Sequence, residues 1–140
     1  MPEAISTNSS ADAPVAFLDS GVGGLPYLQW VRKHLPGENY IYLADRKYFP
    51  YGPKTPDRVF SAVAEGVEKF IKTFDPKLFV LACNTASVSA LERLRQAFPA
   101  KTFVGTVPAV KPAAEYSKNK RIGVLATNAT VHAHYLDSLI

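Results

Sequence analysis

Leu78-Phe79-Val80-Leu81-Ala82-Cys83-Asn84-Thr85-Ala86-Ser87 reads as a strand that turns directly into a helix. Its first five residues are apolar without alternation, the pattern of a strand covered on both faces. Asn84, Thr85 and Ser87 are ordinary capping residues, and Val88, Leu91, Leu94 and Phe98 then step at helical spacing. Cys83, the only cysteine in 140 residues, therefore stands at a strand tip and a helix N-terminus. That end carries partial positive charge and unpaired N–H groups, which favour a thiolate over a thiol of ordinary pKa, about 8.5. Free cysteines are also among the most buried residue types, so packing and chemistry both remain open for Cys83.

The same alternation extends in both directions. Val15 to Leu18 predicts the first strand, and Leu25, Leu28, Val31 and Leu35 a helix that tolerates Pro26 in its first turn. Tyr40 to Leu43 is the second strand. A long helix starts near Pro56-Asp57, shows Val59, Val63, Val67, Phe70, Ile71 and Phe74 on one face, and ends at Asp75-Pro76. A short strand at Thr102 to Val104 leads to a helix from about Pro108, Ile122 to Leu125 predicts a fifth strand, and Thr130 onward is helical. Strands alternating with helices predict an α/β fold, a parallel sheet with helices on both faces. Tyr40, Tyr42, Phe60 and Phe70 read as core.

Hydrophobic residues make up 47% and charged residues 20%, which fits a soluble chain with a real core. One cysteine excludes an internal disulfide framework and fits a reducing compartment. The polar start lacks the pattern of a secretory signal, and no apolar run approaches the roughly 18 residues that span a bilayer. The expected location is cytoplasmic. The net charge of +4, from 16 basic and 12 acidic side chains, is scattered; Arg46-Lys47 and Lys118 to Arg121 do not interleave with aromatics as a nucleic-acid surface would. Neither a nucleic acid nor a membrane is expected as partner. The chain stops at Leu139-Ile140 in mid-helix without a cap, so the natural protein is expected to continue.

Ligands of open parallel sheets bind beyond the carboxyl ends of the strands. Those ends carry Asp19-Ser20-Gly21-Val22-Gly23-Gly24, then Ala44-Asp45 running into Phe49-Pro50-Tyr51-Gly52, and Cys83-Asn84-Thr85. The first loop is neither a dinucleotide fingerprint, since Pro26 stands where a glycine is needed, nor a P-loop. Its glycines permit a tight turn and bring backbone donors near a small anion, or simply join strand to helix. Asp19 binds an ammonium group, orients a proton-transfer residue, or caps the helix beginning at Gly24 or Leu25. His132 and His134 diverge around a helix axis and His34 is isolated, so no metal is assigned.

Asp19 to Leu25, Phe49-Pro50-Tyr51-Gly52 and Ala82 to Ser87, in this order and at strand tips, resemble the motifs of bacterial glutamate racemase, in the aspartate/glutamate racemase superfamily. Gly105 to Ala113 and Leu125 to Val131 resemble two further segments of that family, and the polar lead resembles the extended N-terminus of its enterobacterial type. The resemblance implies a two-lobed fold, with 1–14 a flexible lead, 15–105 the first lobe and 106–140 the start of the second. It implies cofactor-independent interconversion of L- and D-glutamate for peptidoglycan synthesis, by two thiols on opposite faces of the substrate. Cys83 would be one acid/base residue, assisted by Asp19. Asp19, Ser20, Tyr51, Gly52, Asn84, Thr85, Thr127 and Thr130 would hold glutamate, Thr130 ahead of Thr127. A homodimer and a peptidoglycan-precursor activator are partners the family allows.

The chain departs from the family at Arg46-Lys47, at Pro26 and, above all, in length. The second cysteine, in a Cys-Thr-His segment, is absent, so these 140 residues are expected to be the inactive N-terminal half of a racemase. Other members of the superfamily (aspartate and hydantoin racemases, maleate isomerase, arylmalonate decarboxylase) are the nearest alternatives. A non-catalytic small-anion-binding module is the alternative from another class.

Overall fold

The computed structural model describes residues 12–131. In chain order it contains β1 (Val15–Asp19), α1 (Leu25–His34), β2 (Tyr40–Ala44), α2 (Pro56–Phe74), β3 (Leu78–Leu81), α3 (Asn84–Ala97), β4 (Thr102–Gly105), α4 (Val110–Tyr116) and α5 (Asn128–Val131). The first 11 residues, His132, His134 and the Leu139-Ile140 end lie outside the described residues.

The four strands form one parallel sheet in the order β2-β1-β3-β4. The chain winds outward from β1 to β2, then crosses back to place β3 on the other side of β1. The strand order therefore reverses between β1 and β3, and the crevice at their carboxyl ends is the place where such sheets take ligands. Leu18 pairs with Leu43 on one side and Leu81 on the other, so Asp19 and Ser20 emerge beside Ala82 and Cys83.

Local chemistry explains the element boundaries. α2 starts at Thr55, whose side chain accepts from Arg58 N at 3.4 Å, with Pro56 in the first turn. It ends where Asp75 turns left-handed, at φ 43°, and returns its N–H to the Phe70 and Ile71 carbonyls before Pro76. The buried stripe of α2, Val59, Val63, Gly66 and Val67, faces β1 and α3.

Alternate residues of β1 feed two apolar clusters. Ala16, Leu18, Phe79, Leu81 and Phe103 meet α2 and α3 on one face, with Phe79 stacked on Phe103 at 5.2 Å between ring centroids. Val15, Phe17 and Ala82 meet Leu28 and Val31 of α1 on the other. Burying each such large apolar side chain contributes about 1.5–3 kcal/mol.

One expectation is corrected, and in two helices the buried face is narrower than the apolar spacing. Ile122 to Leu125 forms no strand; its apolar side chains are exposed, and among the described residues no strand lies alongside to satisfy its backbone. Only Leu28 and Val31 of the predicted α1 stripe pack inward, whereas Leu25 and Leu35 are exposed at the helix ends. On α3 the buried face consists of Thr85, Ala86, Ser87, Ala90 and Leu94, because α2 packs close enough to require small residues there; Val88 and Leu91 are only half-buried.

Candidate active site

The β1 and β3 tips place a carboxylate, a hydroxyl and a thiol in one crevice. Cys83, extended at φ −141°, is the N-cap residue of α3, and Ser20 Oγ lies 3.8 Å from its Sγ. Asp19 is buried, and one of its oxygens, Oδ2, accepts from the Gly24 N–H at 2.9 Å and from the Tyr42 hydroxyl at 3.1 Å. Asp19 is not the expected N-cap: the α1 cap is Gly24, with no side-chain cap, and the Asp19 bond to the Gly24 N–H instead ties the loop to the helix start, engaging one oxygen only among the described residues. Gly24 has to be glycine here: a Cβ would stand 2.6 Å from Ala82 Cβ and 2.9 Å from the Tyr42 oxygen. Its N–H is spent on Asp19, so at this glycine the loop is not an open anion cradle.

The thiol titrates in the opposite sense to the sequence expectation. Burial pushes the Cys83 pKa up, and the nearby Asp19 charge adds to the rise. Backbone N–H groups of Ala86 and Ser20 and the Ser20 hydroxyl pull it down, but they do not win. A helix N-terminus lowers a thiol pKa through its N–H groups, but here desolvation opposes it more strongly. Cys83 therefore rests as a thiol at neutral pH.

The hydroxyl residues form a chain. Thr85 Oγ1 lies 3.0 Å from Thr127 Oγ1, which lies 3.0 Å from Thr130 Oγ1. Thr130 is buried, and α5 is thereby docked on the N-terminal end of α3. Gly52 lies against Thr127, whose Cγ2 would sit 2.9 Å from a Cβ added there. Asn84 is exposed and, among the described residues, makes no side-chain hydrogen bond.

Tyr51 is buried, and its hydroxyl donates to Asp45 Oδ2 at 2.6 Å. Asp45 Oδ1 accepts from the Lys47 and Tyr48 N–H groups at 3.1 and 3.2 Å. The phenol proton of Tyr51 is therefore committed inside the protein, and its ring lies in the main apolar core. Burial, then the Asp45 bond, raises its pKa, with smaller effects from Cys83 and Asp19 that place it in the same crevice.

Sequence reasoning missed two residues, Tyr42 and Asp45. Tyr42 read as core because its ring is core; its hydroxyl is not. Asp45 had the signal that singled out Asp19, a carboxylate at the end of an apolar strand. Ser87 also does more than cap, since its Oγ donates to Leu81 O and accepts from Thr106 N, tying the β3 and β4 ends together. A groove of about 640 Å³ runs between α3 and the β4 edge, with Val88, Leu91, Arg95, Val104 and Val107 in its wall, and its lining includes neither Asp19 nor Cys83.

A thiol, a buried carboxylate and a hydroxyl chain at the strand-order reversal of a parallel sheet define the class: an α/β lobe with a thiol–carboxylate centre at its switch point. The chain is 45% identical over 133 residues to the glutamate racemase of Brucella anthropi, covering 95% of this chain and 48% of that protein. It is 47% identical over 127 residues to the glutamate racemase of a Roseiflexus species, covering 91% and 46%. The solved Escherichia coli glutamate racemase, bound to L-glutamate and the activator UDP-MurNAc-ala, superposes with a TM-score of 0.80 at 41% identity, over 90% of this chain and 47% of that one. A Bacillus anthracis glutamate racemase gives 0.78 at 35%, over 92% and 48%. No family profile matches the chain. The chain is homologous to glutamate racemases over nearly all of its own length, and it spans about half the length of the relatives it matches.

Proposed function

We propose that this chain supplies one half of a glutamate racemase active site, with residues 15–105 as the first lobe and 106–140 as the start of the second. The observation that carries the proposal is the Cys83 thiol at the head of α3, 3.8 Å from Ser20 and beside the buried Asp19. Racemisation needs a base on one face of the α-carbon and an acid on the other. Cys83 serves one face: as thiolate it removes the α-proton, and as thiol it returns one in the reverse direction. A second thiol, from the other lobe, serves the opposite face.

The remaining groups bind and orient. Asp19 takes the α-ammonium group, whose charge would offset the carboxylate's part in a Cys83 pKa raised chiefly by burial. Ser20, Asn84, Thr85, Thr127 and Thr130 offer hydroxyl and amide donors to the carboxylates, and donors of this type stabilise charge developing on the carbanion. Tyr51 and Gly52 close the crevice over the substrate. L-glutamate and the activator bound to the Escherichia coli relative support glutamate as substrate and a nucleotide-linked peptidoglycan precursor as activator. A cytoplasmic location and a homodimer complete the proposal. Among the described residues no helix is long and apolar enough to cross a membrane.

The test is stereochemical. The complete protein should convert L- to D-glutamate with wash-in of solvent deuterium at the α-carbon, with aspartate a poor substrate. The 140-residue chain alone should do neither, because it carries a single cysteine. Racemisation by the isolated chain would refute the two-thiol reading.

A further inference from the structure

Tyr42 lies in the middle of β2, paired with Phe17 of β1, and its ring belongs to the apolar cluster of Val15, Phe17 and Ala82. Packing alone would be served equally by phenylalanine. The hydroxyl instead reaches the end of β1, bonding Asp19 Oδ2 at 3.1 Å and, in the loop after it, Gly21 O at 3.2 Å. A Cβ at Gly24 would collide with Ala82 Cβ and O and also with the Tyr42 oxygen, so the hydroxyl is one of the close neighbours that keep that position a glycine. Both hydrogen bonds to the carboxylate fall on Oδ2, so among the described residues Oδ1 accepts none.

We propose that Tyr42 is a positioning residue for the Cys83 centre, acting through Asp19: its hydroxyl and the Gly24 N–H pin Oδ2 and so fix how the carboxylate faces the thiol. Asp19 and Ser20 face Cys83 from the end of β1, Tyr42 from β2 and Tyr51 from the loop after β2. Of these Asp19 brings the negative charge, and Tyr42 is the side chain that hydrogen-bonds it. Burial first, and then the Asp19 charge, raises the Tyr42 pKa, so the phenol stays a donor across the working pH range. Asp19 is thereby held with part of its charge neutralised at the oxygen away from the free one.

The proposal rests on the crevice being the racemase centre, but its test reads the thiol directly and needs no turnover. Cys83 is the single cysteine, so the pH dependence of its alkylation by iodoacetamide is a clean signal in the 140-residue chain. Tyr42→Phe removes one donor from Asp19 and should move the alkylation midpoint upward by about half a pH unit or more, since less of the carboxylate charge is neutralised. Asp19→Asn should move it downward, and Tyr42→Phe should add nothing in the Asp19→Asn background. Superimposable profiles for wild type and Tyr42→Phe, or an equal Tyr42→Phe shift with and without Asp19, would overturn the proposal. So would loss of a cooperative melt in Tyr42→Phe, because the hydroxyl would then be holding the fold rather than the carboxylate.

Discussion

Asp19 and Asp45 invite comparison: both are buried at strand ends, Asp19 as the last residue of β1 and Asp45 directly after β2, with Asp45 N donating to Asp19 O. Asp45 is saturated. Two backbone N–H groups hold one oxygen and the Tyr51 phenol the other, which ties down the loop carrying Tyr51 and Gly52. Asp19 is held by one oxygen, with a thiol and a serine hydroxyl as neighbours. A carboxylate whose oxygens are both engaged shapes a loop; Asp19, with one oxygen that accepts no hydrogen bond among the described residues, is left able to take the role proposed for it. Strand position alone does not separate the two roles.

The largest expected effect comes from the group that Asp19 serves. Cys83→Ser in the complete protein should lower kcat by about a thousandfold or more, with an unchanged thermal melt, because a serine hydroxyl does not ionise near neutral pH. A near-wild-type rate would assign Cys83 to packing and erase the contrast between the carboxylates. Next, Asp19→Asn should lower kcat by about a hundredfold. Asp45→Asn should chiefly destabilise, by about 1–3 kcal/mol in a denaturant melt, because it upsets a saturated buried group. An exchange of those two phenotypes would break the comparison outright.

The pH dependence sharpens it further. The Cys83 pKa is raised, so at neutral pH the thiolate fraction is below that of an ordinary cysteine and grows as pH increases. Alkylation of the 140-residue chain should therefore reach half-maximal rate above the usual thiol range. A midpoint below it would mean that the helix terminus outweighs burial and Asp19 together.

The smallest effect belongs to a third carboxylate. Glu65, on the surface, is held at a pKa of about 2, first by its Lys47 hydrogen bond and then by Tyr48. A lowered folded-state pKa contributes stability that is present above the unfolded value and is lost as pH falls toward about 2. Solvent and salt screen such a surface pair, so Glu65→Gln should change the melt least of all the variants, and only above that acid range.

Much of the frame was legible in the sequence. β1, β2, β3 and β4 follow from apolar runs bounded by turn residues, and α2 from its Thr55-Pro56 start and Asp75-Pro76 stop. Ile122 to Leu125 misled because an apolar run becomes a strand only when another strand offers a ladder. The β1 and β3 tips were visible as a candidate site because Asp19, Ser20, Cys83 and Thr85 are costly or reactive residues at the ends of buried strands. Tyr42 and Asp45 escaped for a common reason. A phenol in a strand looks like core until its oxygen is traced, and the Asp45 partners come from a loop whose closure no local pattern announces.

The sequence by itself determined the strand–helix alternation, the likeness to glutamate racemases and the presence of a thiol and a carboxylate at strand ends, because these depend on residue type and spacing. The tertiary structure decided the strand order that brings β1 and β3 side by side, which carboxylate is saturated, and the direction in which the Cys83 pKa moves. Those depend on desolvation and on hydrogen bonds between residues far apart in the chain, and both exist only once the sheet has closed around them.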